Sequence, residues 1–162
     1  MNTRLINEYW QLDPNSPTGL SWIKHKRYVP GSIPGAPACT SINSGGYYYG
    51  MLDGRNYFAH RVVYYLKHGS QPKCVDHLDG IRTHNFPENL REATPSINQH
   101  NRIGRGYSWD KRASKWRAQI ELGERTVFLG LFVEEHEARN AYLTAKQELH
   151  PTAPERCYAA GL

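Results

Sequence analysis

The chain has 162 residues, of which 39% are hydrophobic and 22% are charged, and its net charge is +5. This composition is typical of a globular protein and argues against a disordered tail. No stretch approaches the roughly 18 consecutive apolar residues of a membrane span, and the N-terminus lacks the layout of a secretory signal. We therefore expect no membrane association and a cytoplasmic location. Three widely spaced cysteines exclude a disulfide framework and a CxxC zinc knuckle.

The first 44 residues contain scattered aromatic residues and prolines, which predicts a loop-rich N-terminal region. Trp22 and Ile23 are the expected hydrophobic anchors of this region. The basic run at residues 25–27 either contacts a phosphate backbone or lies in a solvated loop. We assign no chemistry to residues 1–44.

The pattern changes at residue 45. Residues 47–52 are β-prone, Asp53-Gly54 is a strong signal for a two-residue hairpin turn, and residues 56–59 resume the strand. Residues 59–69 then predict a short helix that ends at Gly69.

Residues 73–102 predict a strand, a long loop, a second strand and a helix. The strands fall within residues 73–80 and 89–94, and the helix follows with Thr94 as its N-cap and Pro95 at its first position. This order gives a ββα arrangement around the segment richest in Asp, His and Asn.

Residues 103–150 predict a separate small domain. Strict alternation over residues 115–122 indicates a strand with one apolar face, and a turn at Gly123-Glu124 leads into a further strand over residues 125–132. Residues 134–150 place alanine, tyrosine and leucine on one stripe of a helix. We expect a three-stranded sheet packed on one helix, followed by a loose tail over residues 151–162. The strand region is basic and the helix acidic, which predicts that one face meets phosphate.

The candidate chemistry lies in residues 75–102. Phosphodiester hydrolysis needs an activated water and a cation on the scissile phosphate. A histidine is a natural base, and a hard divalent cation prefers carboxylate and amide oxygens. Asp76 and His77 are adjacent on a strand and so point to opposite sides, unless the turn at Asp79-Gly80 twists the strand end. Asn89 and Asn98 lie on the elements that would complete the site.

This segment resembles the HNH homing-endonuclease family with the ββα-metal fold, in the branch common in phages and mobile introns. The matching features are the Asp76-His77 pair, the Asp79-Gly80 turn, Asn85, residues 89–91, and Asn98 with Asn101. The preceding run at residues 60–66 is also similar to the helix before that motif. The resemblance covers about residues 45–102.

The resemblance implies that His77 is the general base and that Asn89 accepts a hydrogen bond from its imidazole. It implies that Asp76 and Asn98 bind one Mg²⁺ or Mn²⁺, and that the products carry 3′-hydroxyl and 5′-phosphate ends. We interpret Asn85 as a cap of the loop and His84 as an exposed loop residue. His60 either packs near the site or binds DNA, and Arg91 either holds a phosphate or braces the sheet.

Residues 103–150 resemble the APETALA2-type DNA-binding domain, with matches at residues 108–111, 115–120, 128–132 and 137–142. In that family the sheet lies on the major groove and the helix packs behind it. Arginine and glutamine can read base edges, whereas lysine more often holds phosphate. The candidate DNA-binding residues of this domain are Arg105, Lys111, Arg112, Lys115, Arg117 and Gln119.

The sequence thus predicts an α+β protein: residues 1–44 as a loop-rich region, 45–102 as an HNH nuclease domain, 103–150 as an APETALA2-like domain and 151–162 as a tail. The predicted function is metal-dependent cleavage or nicking of double-stranded DNA by a monomer or homodimer. If the protein is phage-encoded, its location is the host cytoplasm. The alternatives are a non-catalytic, sequence-specific DNA-binding regulator and a packaging factor that binds DNA only through charge.

Overall fold

The computed structural model describes residues 1–159, which have a mixed α and β architecture with four α-helices and four small antiparallel sheets. Its contacts divide the chain into two compact units, Met1–Ala93 and Thr94–Leu162. Between residues 1 and 159, none of the helices combines the length and apolar character that crossing a bilayer requires.

The first unit is built from two helices and seven short strands, and its N-terminal part is more ordered than expected. The helices are α1 (Thr3–Tyr9) and α2 (Ala59–His68). The strands are β1 (Trp10–Leu12), β2 (Leu20–Trp22), β3 (Ser41–Ile42), β4 (Tyr48–Leu52), β5 (Arg55–Phe58), β6 (Cys74–His77) and β7 (Leu90–Ala93). They form three sheets, β1-β2, β3-β4-β5 and β6-β7.

The core of the first unit is shared between the N-terminal region and the later elements. Trp10 is 1% exposed and meets the rings of Trp22 and Tyr57 edge to face, with centroids 5.7 and 5.8 Å apart. Trp22 is buried as predicted, but Ile23 is 39% exposed and is not an anchor. Residues 1–44 are therefore part of the same hydrophobic core as α2 and β6.

The hairpin and helix predicted after residue 45 are confirmed. β4 and β5 pair antiparallel, and Asp53 and Gly54 join them with φ values of 47° and 73°, both in the left-handed region that a tight primed turn requires. α2 ends at Gly69, which adopts φ 71° and donates its N–H to the carbonyl of Tyr65.

The second unit consists of a short helix, a three-stranded sheet and a long helix. Its elements are α3 (Pro95–His100), β8 (Tyr107–Asp110), β9 (Lys115–Leu122), β10 (Arg125–Phe132) and α4 (Glu135–Leu149). The strand order is β10-β9-β8, and the core joins Ile120 of β9 to Tyr142 and Ala145 of α4. The predicted sheet packed on one helix is therefore present.

Two features of the second unit differ from expectation. α3, which we predicted within the nuclease domain, belongs to the same compact unit as the sheet and α4. The region after α4, expected to be loose, contains a 3-10 turn at Glu155–Cys157. Arg156 donates to the carbonyl of Asn101 at 2.8 Å, and Cys157 is buried. This segment thus packs on the end of α3.

At Gly106 the backbone passes close to the core of the second unit. It adopts φ 67°, and a Cβ at this position would overlap the buried ring of Tyr142. Gly123 adopts a similar φ of 64°, but a Cβ there would meet nothing within 4 Å. An alanine at Gly123 would therefore meet only backbone strain, whereas an alanine at Gly106 would meet the same strain and a steric overlap.

We expect Gly123→Ala to cost about 1 kcal/mol of unfolding free energy, the lower limit for a strained backbone conformation. Gly106→Ala should cost roughly 2 kcal/mol more, because it adds overpacking to the same strain. Urea unfolding of the two variants measures both losses. Equal losses would show that the Tyr142 ring moves aside at no cost.

Candidate active site and candidate DNA-binding sheet

β6 and β7 carry the first half of the candidate active site. They pair antiparallel, with Asp76 opposite Arg91 and His77 opposite Leu90. Arg91 donates from Nε at 3.2 Å and from Nη2 at 3.1 Å to Oδ2 of Asp76, so the two side chains form a partly buried cross-strand ion pair. Of the two roles left open for Arg91, the structure favours bracing the sheet.

His77 points to the other side of β6 and is 4% exposed. Its Nε2 lies 3.0 Å from Oδ1 of Asn85. An amide oxygen can only accept, so Nε2 must carry the proton of the neutral ring. Burial lowers the pKa of His77, and the hydrogen bond to Asn85 and the carboxylates of Asp79 and Asp76 oppose this effect.

Two further rings enclose His77. His60 on α2 lies with its ring centroid 5.2 Å away, and Tyr47 lies 6.1 Å away. His60 is 8% exposed, and within residues 1–159 its Nδ1 is buried without a hydrogen-bond partner. Burial, followed by the charges of His77 and Arg61, lowers the pKa of His60 to about 3, so His60 is neutral at physiological pH. Of the two roles predicted for His60, packing near the site and binding DNA, the structure favours packing near the site.

The turn after β6 is organised by Asn89 and not by His77. Oδ1 of Asn89 accepts from the backbone N–H of Asp79 at 3.0 Å, and its Nδ2 donates to Oδ1 of Asp79 at 2.9 Å and to the carbonyl of His84 at 2.8 Å. His84 also donates to Asp79 at 2.8 Å. The hydrogen bond predicted between Asn89 and the imidazole of His77 is therefore wrong, because both ends of the Asn89 amide are used in the loop.

Asn85 takes the place that we assigned to Asn89. It is 2% exposed, so it is not the surface loop cap that we expected. The loop from Asp79 to Phe86 carries the Asn85 amide to the imidazole. Sequence reasoning missed this because the loop follows no periodic pattern, although Asn85 was among the residues that match the HNH motif.

Asn98, the second predicted metal ligand, lies half-buried on α3 in the second unit. Thr94 caps this helix as predicted, since its Oγ1 accepts from the N–H of Ile97 at 3.2 Å. Within residues 1–159, no group of three or more His, Cys, Asp or Glu side chains is placed to share a metal ion. The predicted metal site uses Asp76 and Asn98, and only Asp76 is of a residue type that such a group contains. The two-ligand site therefore stays a prediction.

The sheet of the second unit has one face covered by α4 and one face open. Ala118 and Ile120 of β9 are buried on the α4 side, whereas Lys115, Arg117 and Gln119 alternate with them and are exposed. We call the open side the outer sheet face, and it includes three of the predicted DNA-binding residues. The predicted alternation of β9 is confirmed.

A β-bulge adds two apolar side chains to the outer sheet face. The register of β10 shifts between Phe128 and Gly130, so Phe128 pairs with Gln119 and Leu131 pairs with Arg117. Without the bulge, residues three apart in a strand would point to opposite faces. Phe128 is 54% exposed and Leu131 41%, and the Arg117 guanidinium lies 5.5 Å from the Phe128 ring.

The other predicted DNA-binding residues lie elsewhere. Arg105 pairs with Glu135 in the first turn of α4 at 2.6 Å and lies over the Tyr107 ring, so it is on the α4 side and not on the outer sheet face. Lys111 and Arg112 are exposed in the turn between β8 and β9, where Asp110 accepts from the N–H of Arg112.

The segment that contains α2, β6, β7 and α3 is similar to a known family of nucleases. Residues 57–100 match the family model of HNH endonucleases. This HNH segment includes Asp76, His77, Asn85, Asn89 and Asn98, and the match indicates a nuclease that acts on DNA. Comparison of the chain with curated proteins and with solved structures gave no match.

The assignment of Asn85 to His77 can be tested through the tautomer of the imidazole. We expect ¹⁵N NMR of His77 to show the Nε2–H tautomer in the unaltered protein. Asn85→Ala should abolish this preference, because it removes the acceptor of the Nε2 proton.

Asn89→Ala is the matched control. It should keep the His77 tautomer but lower the unfolding free energy by about 1–3 kcal/mol, because the groups of the Asp79 turn lose their partners. A change of tautomer in Asn89→Ala but not in Asn85→Ala would contradict the assignment.

Proposed function

We propose that the protein is a metal-dependent endonuclease that hydrolyses a phosphodiester bond in duplex DNA, with His77 as the general base. The observation that carries the proposal is the buried imidazole of His77, oriented by Asn85 next to Asp76, within the segment that matches HNH endonucleases. The branch found in phages and mobile introns is the one that the motif resembles.

The neutral imidazole is set up to accept a proton. With one proton on Nε2 and directed at Asn85, the lone pair of the ring is on Nδ1, and Nδ1 takes the proton of the attacking water. The imidazolium that forms keeps its hydrogen bond to Asn85, and Asp79 and Asp76 act on it as nearby negative charges. Packing against His60 and Tyr47 limits rotation of the ring, so the basic nitrogen keeps its direction.

The residues assigned to the metal fit Mg²⁺ or Mn²⁺ by their chemistry. A carboxylate from Asp76 and an amide oxygen from Asn98 are hard donors, which favour these ions over zinc. Arg91 fixes the Asp76 carboxylate on β6. A bound divalent ion would supply positive charge to the scissile phosphate and to the 3′ leaving oxygen.

We also propose that the second unit is an APETALA2-like DNA reader that uses its outer sheet face. Arg117 and Gln119 are exposed side by side with Phe128 and Leu131, and Lys115 lies at the end of the same strand. Arginine and glutamine can form paired hydrogen bonds to guanine and adenine, and apolar side chains can contact the thymine methyl group. Lys111 and Arg112 lie in the adjacent turn, where they can hold phosphate.

The nuclease proposal predicts metal-dependent nicking. Incubation of supercoiled plasmid with the protein should give open circles in Mg²⁺ or Mn²⁺ and none in EDTA, and gel electrophoresis measures the rate. His77→Ala should reduce the rate by at least about 100-fold, the usual contribution of a general base. The matched control is His136→Ala, which removes an exposed histidine on α4 and should leave the rate unchanged.

Cleavage that survives His77→Ala would refute the role of His77. A protein that binds duplex DNA selectively but does not nick in either metal would be the non-catalytic regulator. Steep salt dependence with neither selectivity nor metal dependence would identify the packaging factor.

If the outer sheet face reads DNA, substitutions on the two faces of the sheet should change the affinity for DNA by different amounts. Arg117→Ala should weaken binding to the preferred duplex by about tenfold, within the range for loss of one bidentate base contact. Arg125→Ala removes the same charge from β10, but Arg125 pairs with Leu122 on the α4 side, so its effect should be small. Fluorescence anisotropy measures both affinities, and equal losses would show that only net charge matters.

A further inference from the structure

An exposed loop of the first unit holds a tyrosine in a backbone conformation that tyrosine rarely adopts. Tyr28 has φ 64° and is 84% exposed. Glycine and asparagine tolerate this left-handed region, whereas a bulky side chain is strained in it. The ring gains little from burial, so folding does not explain why a strained aromatic residue occupies this position.

The loop around Tyr28, residues 25–33, is braced from inside. Ser32 is fully buried, and its Oγ accepts from the N–H of Lys26 at 3.0 Å and lies 2.7 Å from the carbonyl of Val29. Val29 packs on the core of the first unit. Lys26 binds Asp53 in the β4–β5 turn at 2.7 Å. These contacts hold the loop in one conformation, with Tyr28 directed outward.

The exposed tip of the loop combines an aromatic ring with positive charge. The Arg27 guanidinium lies 4.7 Å from the centroid of the Tyr28 ring. Over residues 1–159, Arg27 makes no ion pair with a carboxylate, unlike Lys26 at the base of the loop. A cation beside an aromatic surface suits a nucleic acid, because the cation binds phosphate and the ring packs on sugar or base.

We propose that this loop, the Tyr28 loop, is a second DNA-contacting element of the nuclease, in which Arg27 binds a backbone phosphate and Tyr28 packs against the duplex. The inference rests on the proposed function, since it takes duplex DNA as the occupant. It assigns a role to the basic run at residues 25–27, which is separate from both the HNH segment and the outer sheet face.

The β4–β5 hairpin sets the spacing between the Tyr28 loop and His77. Tyr47, just before β4, contacts the His77 ring, and Asp53, just after β4, binds Lys26. The five residues of β4 extend about 17 Å at roughly 3.4 Å per residue. The strand therefore lies between the contact to Lys26 and the contact to His77.

The test compares binding of the full-length chain to a labelled duplex in EDTA, where no cleavage can interfere. Tyr28→Asn keeps a residue that tolerates the left-handed backbone but removes the ring. We expect it to lower affinity at least about fivefold, as for loss of one aromatic contact, with the salt dependence unchanged. Arg27→Ala should reduce the slope of log K against log salt by about 0.9. Tyr28→Phe, which keeps the ring, should bind like the unaltered protein.

Thermal unfolding provides the control for folding. Tyr28→Asn should be at least as stable as the unaltered protein, since asparagine relieves the strain at this φ. Nicking of plasmid by Tyr28→Asn should show a higher KM and an unchanged kcat, and duplexes shortened from one end at a time should locate the contact. Unaltered affinity in Tyr28→Asn, or equal losses in Tyr28→Asn and Tyr28→Phe, would overturn the proposal. If the unaltered protein binds but never nicks, the nuclease proposal fails, while the binding comparison still decides the role of the loop.

Discussion

The side chain of His77 is both buried and oriented, and the groups that achieve this come from several parts of the first unit. An imidazole removed from water loses its solvent partners, so its direction is set by the protein groups around it. Asn85 supplies the hydrogen bond on one side, and the rings of His60 and Tyr47 supply the walls. Each of these three residues comes from a different element, so the site depends on the packing of the whole unit.

The N-terminal region contributes to this packing through its loops. Gly19 adopts φ 76°, and a Cβ there would lie 2.6 Å from the carbonyl oxygen of Asn85. Its loop is fixed by buried hydroxyl groups, since Thr18 donates to the carbonyl of Ala38 at 2.6 Å and Ser16 to that of Leu20 at 2.7 Å. The backbone that holds Asn85 is thus supported by residues far from the HNH segment in sequence.

Much of this architecture could be predicted from the sequence, because short-range rules decide it. Asp53-Gly54 requires a hairpin turn, Gly69 ends α2, Thr94 caps α3, and alternation sorts the faces of β9. Prediction failed where the decisive contact joins irregular segments.

The partner of His77 depends on how the loop after Asp79 folds back, and the side on which Arg105 lies depends on Glu135, thirty residues later. Likewise, the bulge in β10 is visible only in the pairing of β10 with β9, where the register shifts between Phe128 and Gly130.

The anchoring of α3 bears on how this protein could be divided or recombined. The His100 ring stacks on His150 with centroids 4.3 Å apart, Lys146 donates to the carbonyl of Arg102 at 2.8 Å, and Arg156 binds Asn101. A gene fragment that ends at residue 102 would encode the entire HNH segment but strip its last helix of these contacts. The smallest inheritable module that keeps α3 packed therefore extends to residue 157, so exchange of the sheet and α4 alone would disturb the last helix of the HNH segment.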